Sequence, residues 1–412
     1  MKRFWSILAA LAVWMCMGGH IATASADWII EQGSGETPES LILATEAEAW
    51  QQAEVPTNAE GLAIKAKGAV LMELSTGALL FEQNSHEKLP IASVTKIMTM
   101  LLIMEAIDSG ALSIDDVLTC SATAAAYGGS QIWLEEGEQM SVHDLLKAIA
   151  VVSANDACAM VAEHLCGSVE AFVARMNARA AELGMTDTQF KDCSGLDDTA
   201  YSSAADVAIM SRALMQHDRV TDYTTIWMDT LRGGESQLVN TNKLVRYYKG
   251  ATGLKTGTTA AAGHCLSATA ERDGVAFCAV VLGCATTDDR FGGARQLLDY
   301  GFANYSVYTP VVDAAQLVPV KVLHGVSESV PVTVRDMTPL LLSKGEESLV
   351  DYRLELAADV EAPVLEGQKL GTVRVLLGES VCAEYPLVAS EAVDRLTLGV
   401  AFRRLLWALI GG

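Results

Sequence analysis

The sequence predicts an α/β (α+β) domain, a small all-β domain behind it, and a terminal amphipathic helix. Three observations carry this reading. Strand-like runs stand at both ends of residues 61–308, with helical periodicity between them. A long segment near Ile91 is apolar on every side, as a helix at the centre of a domain is. Beyond Pro310 the chain turns to short alternating runs separated by Gly or charged turns. With 412 residues, 50% of them apolar, the chain is long enough for two or three domains with cores of their own.

The elements follow in order. Lys2 and Arg3 precede an apolar run, and Ala24-Ser25-Ala26 supplies an A-x-A site, so residues 1–26 read as a secretory signal peptide. Residues 27–60 carry eight acidic residues and no Lys or Arg, and read as an acidic leader or linker. GAVLMEL and ALLFEQ flank Ser75-Thr76-Gly77 as a β-hairpin. The apolar helix is expected from about Ile91 to Ile107, closed by Gly110. VHDLLKAIAVV, ACAMVAEHLCG, VEAFVARMNARAAELG and SAADVAIMSRALMQH are further helices, the third stopped by Gly184. HCLSATAERDGVAFCAVVLGC reads as two strands joined at Asp273-Gly274, and ARQLLDYGFANY as a closing helix. Strands at the two ends of this domain, 61–308, would thus meet in one sheet. Residues 309–390 form the β domain. Residues 391–412 read as helical, with Leu398, Phe402, Leu405 and Leu409 on one stripe and Arg403 and Arg404 off it, the pattern of a helix lying on a membrane surface.

Composition narrows the function. A net charge of −22 argues against nucleic acid as a partner, which would call for a basic face. Eight cysteines remain beyond the signal peptide. Their spacing is not a disulfide framework, and most read as small core hydrophobes. There is no C-x-x-C and no H-E-x-x-H, so no zinc pattern appears.

The chemistry is carried by three short motifs. Ser93-Val94-Thr95-Lys96 is S-x-x-K, Ser153-Ala154-Asn155 is S-x-N, and Lys255-Thr256-Gly257 is K-T-G, followed by Thr258. Each alone has a plain reading: a helix cap, a surface lysine, a turn asparagine, a polar strand position. The phosphate-loop pattern fails, because Leu254 stands where its second Gly is required. In this order, the three match the serine acyl-transfer set. A serine hydroxyl needs a base to become a nucleophile, and a lysine serves only when burial or a second cation lowers its pKa. Ser93 is then the nucleophile and Lys96 the base, with Lys255 as the second cation. Ser153 relays the proton to the leaving amine. Asn155 orients Lys96 and contacts substrate. Lys255, Thr256 and Thr258 hold a carboxylate beside Gly257, and the amides of Ser93 and Thr258 form an oxyanion hole.

KLPIASVTKIMTMLL, VVSANDACAMVAEH, CSGLDDTAYSSAADVAIM and NTNKLVRYYKGATGLKTGTTAAAGHCLSATAERDG resemble the low-molecular-weight penicillin-binding proteins, serine-type D-Ala-D-Ala carboxypeptidases related to serine β-lactamases. The likeness runs over roughly residues 62–305, and the trailing β domain and terminal helix are similar to those of membrane-attached members. It implies a serine β-lactamase/transpeptidase-like catalytic domain, with neither a metal nor an organic cofactor. It implies removal of the terminal D-alanine from peptidoglycan stem peptides through a Ser93 acyl-enzyme, and covalent inhibition by β-lactams. Two positions depart from the pattern: Thr258 stands where some members have Tyr or His, and Thr241 where some have Arg. A β-lactamase, a non-catalytic wall-binding or morphogenesis protein, and an endopeptidase are the competing readings. The glutamate a class A β-lactamase needs has no match, since Glu235 and Asn240 are five apart where E-x-x-x-N requires four.

Overall fold

The computed structural model describes residues 61–410, so the expected signal peptide and acidic leader lie outside the described residues. The predicted sheet forms. β1 (Gly68–Glu73) and β2 (Leu79–Gln83) make the hairpin, and β3 (Ala251–Thr259), β4 (Gly263–Arg272) and β5 (Val275–Cys284) come from the far end of the domain. Their order is β2-β1-β5-β4-β3, antiparallel throughout. Val70 pairs with Val280, which joins the two ends of the chain in one sheet. β3 is left at an edge, with one row of backbone N–H and C=O groups turned away from the sheet.

Helices cover both faces, as the two-residue repeat of a strand requires. Gly293 and Gly301 of α6 (Thr287–Asn304) lie against Val281 and Phe277. On the opposite face Ser211 of α5 (Ala204–Met215) hydrogen-bonds Ser267 at 2.8 Å, and Ser267 lies beside Cys278. Behind α5 lie α1 (Lys96–Asp108), α2 (Val142–Val151), α3 (Asn155–Cys166) and α4 (Val169–Glu182). α1 is buried all round, from Lys96 through Met104, which answers the absence of a polar stripe in its sequence. The helices start where their caps dictate: Ser141, Ser168, Ser203 and Thr286 each accept the N–H of the residue three positions on.

The apolar segment begins differently from expectation. Ala92–Thr95 is a 3-10 turn, and α-helix starts only at Lys96. A four-residue run does not reveal its period, so the sequence left these two helix types unresolved. The consequence is chemical, because a 3-10 turn eclipses residues i and i+3 and stacks Lys96 over Ser93.

Six of the eight described cysteines are buried and all are free, in line with their reading as core side chains. Past α6 the chain forms short strands. Tyr305–Tyr308 pairs with Leu340–Ser343, and Val332–Val334, Val350–Leu356, Lys369–Leu377 and Ser380–Ala389 make a four-stranded sheet. Among the described residues the terminal helix α7 covers Leu398–Ile410, so it begins at 398 rather than at 391. The reason is that Val393 is buried and bridged to Val364, and Arg395 is bridged to Gly325, so this stretch is held to the β domain in extended form. On α7, Leu398, Phe402, Trp407 and Leu409 are exposed.

Candidate active site

Lys96 is fully buried, with its amine among three oxygens. Nζ lies 2.9 Å from Ser93 Oγ, 2.6 Å from Asn155 Oδ1 and 2.7 Å from the Ser194 carbonyl. Burial holds this amine below the ordinary lysine value of 10.5. The three contacts accommodate either protonation state. An ammonium would donate to all three oxygens, whereas an uncharged amine donates to Asn155 Oδ1 and the Ser194 carbonyl and offers its lone pair to the Ser93 O–H. Asn155 is itself fixed, because its Nδ2 donates to the Gly128 carbonyl at 2.7 Å and its backbone N–H to the Ser130 carbonyl at 2.7 Å.

The backbone is strained on both sides of this pair. Ala92, directly before Ser93, has φ +48°, and Ser153 has φ +65°. Left-handed backbone at residues other than glycine costs about 1–3 kcal/mol and gathers at functional sites. Ser153 Oγ is buried and makes no hydrogen bond among the described residues.

The K-T-G residues lie on edge strand β3, which runs past the 3-10 turn. A Cβ on Gly257 would stand 2.5 Å from the Ile91 carbonyl and 3.0 Å from the Ser93 and Val94 amides. Only glycine lets the two backbones approach this closely. Lys255 is also buried, and its one described hydrogen bond is to the Thr256 carbonyl at 3.1 Å. Its amine is pushed well below the ordinary value, first by burial, then by the charge of Lys96. The three sequence motifs, whose first and last residues Ser93 and Gly257 are 164 positions apart, therefore converge.

Comparisons with known proteins identify the family. Residues 52–286 match the S11 peptidase family, described as D-alanyl-D-alanine carboxypeptidase, and residues 305–395 match the penicillin-binding protein 5 C-terminal domain. The chain belongs to the S11 D-alanyl-D-alanine carboxypeptidase family. It is 41% identical to D-alanyl-D-alanine carboxypeptidase DacF of Bacillus subtilis, over 81% of this chain and 87% of the relative. It is 31% identical to DacC of Escherichia coli, over 86% and 89%. Penicillin-binding protein 5 from Haemophilus influenzae has the same architecture, with a TM-score of 0.71 and 30% identity over 81% of this chain and 98% of that one. Penicillin-binding protein D2 from Listeria monocytogenes, solved in its ampicillin-bound form, gives 0.54 and 34% over 59% and 99%. The predicted serine β-lactamase/transpeptidase-like fold with a separate β domain is thus borne out.

Several residues of this carboxypeptidase's site were not singled out from sequence. Asp192 accepts hydrogen bonds from the Ser194 and Gly195 amides, shaping the loop that presents the Ser194 carbonyl to Lys96. Its signal was legible, since Asp two residues before Ser-Gly is an Asx-turn pattern. Arg290, on α6, is buried and sends Nη1 to Thr258 Oγ1 at 3.1 Å, which adds a cation behind the K-T-G strand. No local pattern marks it. Thr241, noted in sequence as a departure, lies with Oγ1 2.7 Å from Thr256 Oγ1. Asn240, the candidate partner of Glu235 in the β-lactamase reading, has its side chain bonded to the Ile226 carbonyl and the Asn242 amide.

Proposed function

We propose that this enzyme is an exported, membrane-associated carboxypeptidase that removes the terminal D-alanine from peptidoglycan stem peptides through an ester on Ser93, and that β-lactams acylate the same hydroxyl. The observation that carries the reading is the buried Lys96 amine 2.9 Å from Ser93 Oγ. Lys96 takes the Ser93 proton as Oγ bonds to the carbonyl carbon of the penultimate D-alanine. The developing oxyanion faces the amides of Ser93 and Thr258. The proton passes by way of Ser153 to the leaving nitrogen, the C–N bond breaks, and D-alanine departs. Water then attacks the ester, with Lys96 again the base. Asn155 holds Lys96 in place. An extended substrate lies along the free edge of β3, adding to the sheet as a short strand. The enzyme itself supplies every proton acceptor and cation the sequence calls for, so no cofactor is needed for this chemistry.

The substrate carboxylate lies against Lys255, Thr256 and Thr258, beside Gly257. Two buried ammonium groups repel, so a carboxylate that stabilises positive charge on Lys255 also keeps Lys96 neutral. The carboxylate therefore binds the substrate and readies the base. A peptide ending in D-Ala-D-Ala carboxamide is expected to lose about 10²-fold or more in kcat/KM, the range of an oriented charge contact at a reacting centre. Equal rates for acid and amide, measured by D-alanine release, would remove Lys255 from this role.

Mass spectrometry of a synthetic D-Ala-D-Ala peptide incubated with the purified enzyme tests the reaction as a whole, and a product lighter by one alanine is expected. For the membrane, the exposed apolar row of α7 with Arg403 and Arg404 beside it suits a helix lying in an interface. No single described helix is long and apolar enough to span a bilayer. Deleting residues 398–412, which leaves the stretch bridged to the β domain in place, is expected to move the exported protein from the membrane fraction to the soluble one, with its penicillin labelling retained. Sedimentation of the truncated form with membranes would place the anchor elsewhere.

A further inference from the structure

Of the buried residues of α1 two are polar, Lys96 and Thr99, and they stand one turn apart on the same face. The amine of Lys96 donates to the Ser194 carbonyl at 2.7 Å, and the hydroxyl of Thr99 donates to the Cys193 carbonyl at 2.6 Å. α1 thus grips two successive carbonyls of one loop. The Thr99 contact is buried and joins residues 94 positions apart. A threonine inside a helix commonly turns its hydroxyl back onto a carbonyl three or four residues earlier. Here the hydroxyl reaches out of the helix instead. Threonine is also a poorer helix former than the leucines and methionines around it, so its place inside α1 has a reason other than propensity.

The loop is held from its other side as well. Asp192 Oδ1 accepts the amides of Ser194 and Gly195 and, at 2.8 Å, the Ser194 hydroxyl, while Oδ2 accepts the Asp197 amide at 2.7 Å. These bonds fix the shape of the loop. Its position along α1 is set by Lys96 and Thr99, the two side chains of that helix that hydrogen-bond residues 192–195 among the described residues. Lys96 cannot serve as a constant anchor, because its hydrogen bonds change with its charge as it takes up the Ser93 proton. Thr99 has no part in that exchange, so its hold on the loop persists through the reaction. A carbonyl aimed at Nζ stabilises the positive charge that develops there, and such a dipole is effective when it is fixed in advance.

We propose that Thr99 is a positioning residue for ester formation on Ser93. Its hydroxyl fixes the Cys193 carbonyl and, through one peptide unit, keeps the Ser194 carbonyl on the Lys96 amine. The proton of Ser93 Oγ passes to Nζ against that carbonyl while Oγ bonds to the acyl carbon. The inference rests on the reading of Ser93 as nucleophile and Lys96 as base. Thr99 is fully buried and touches no substrate. Its signature is therefore a slower bond-forming step with unchanged binding of penicillin.

The test measures the labelling rate of the purified enzyme against penicillin concentration, which separates the dissociation constant of the non-covalent complex from the first-order rate of ester formation. Thr99→Val keeps the shape of the side chain and removes the donor. It is expected to lower the rate of ester formation about ten-fold, the worth of one neutral hydrogen bond. The dissociation constant is expected to stay at the wild-type value, since no ground-state contact is lost. Thr99→Ser keeps the hydroxyl and is expected to return most of the rate. A role in stability alone would lower the amount of protein that labels and leave the rate per labelled molecule unchanged. A wild-type rate in Thr99→Val, or an equal loss in Thr99→Ser, overturns the inference and leaves the Ser93 reading intact. Absence of labelling in the wild type removes both. Should Thr99→Val not fold, Thr99→Cys is measured in its place, because a thiol is a weaker donor than a hydroxyl. Its rate is expected to fall below that of Thr99→Ser, and a wild-type rate overturns the inference.

Discussion

Ser93→Ala is expected to abolish D-alanine release and covalent penicillin labelling together, and Lys96→Ala to lower the acylation rate by about 10³-fold or more while Ser93 remains in place. A positioned general base contributes about 10²- to 10⁴-fold, and the upper part of that range applies because among the described residues no other amine lies within hydrogen-bond distance of Ser93 Oγ. The two residues act as one unit, so Ser93→Ala/Lys96→Ala is expected to be no worse than Ser93→Ala alone. The rate is read by stopped-time labelling with a fluorescent penicillin, and the amount of folded protein by thermal melting. Wild-type labelling of Ser93→Ala would end the assignment of the nucleophile.

The melting curve of Lys96→Ala carries its own information. Removing the amine leaves Asn155 Oδ1 and the Ser194 carbonyl without their shared donor, and each buried unpaired acceptor costs about 1–3 kcal/mol. Against this stands the relief of a desolvated amine, which in its charged form costs several kcal/mol. Lys96→Met removes the amine while filling the space. It is expected to melt close to or above the wild type while labelling as poorly as Lys96→Ala, which separates the chemical role of this amine from its packing.

Much of this site was readable because chemistry fixes residue types at short range. A base three residues from its nucleophile leaves a pattern, and so does a lysine-threonine pair on a strand ahead of a glycine. The sheet was readable for a related reason: strand-like runs stand at both ends of the domain with helices between them, and the β1–β2 hairpin and the β3–β4–β5 strands meet edge to edge. What stayed hidden acts through backbone or over distance. The Ser194 carbonyl completes the Lys96 cage, yet a carbonyl belongs to every residue and carries no sequence mark. Arg290 reaches Thr258 because β4 and β5 intervene and return the chain to the edge strand. Thr99 reads in sequence as one more residue of an apolar helix, and its meaning comes from the Cys193 carbonyl, 94 residues away. The 3-10 turn at Ala92–Thr95 was lost because four residues do not define a period, although that turn is what places Ser93 against Lys96.

The glycines give a second large effect that does not touch a reacting group. Gly195→Ala puts a Cβ 1.9 Å from the Ala92 carbonyl oxygen and 2.3 Å from its carbon, at φ +82°. Both neighbours are backbone and Ala92 is already strained at φ +48°, so the contact is relieved only by pushing the 192–195 loop away from the nucleophile's turn. That movement carries the Ser194 carbonyl off Lys96. Gly257→Ala presses a Cβ onto the Ile91 carbonyl at 2.5 Å and separates β3 from the same turn. A displacement of about 1 Å at a reacting centre costs on the order of 10²-fold in rate, and each substitution is expected to lower penicillin acylation by at least about that much. The two differ in stability: Gly195→Ala adds left-handed strain and is expected to melt lower than Gly257→Ala, whose edge strand has room to move outward. Acylation within a few-fold of wild type in Gly257→Ala would mean that the distance between edge strand and nucleophile turn does not set the rate, and that the threonine hydroxyls alone position the substrate.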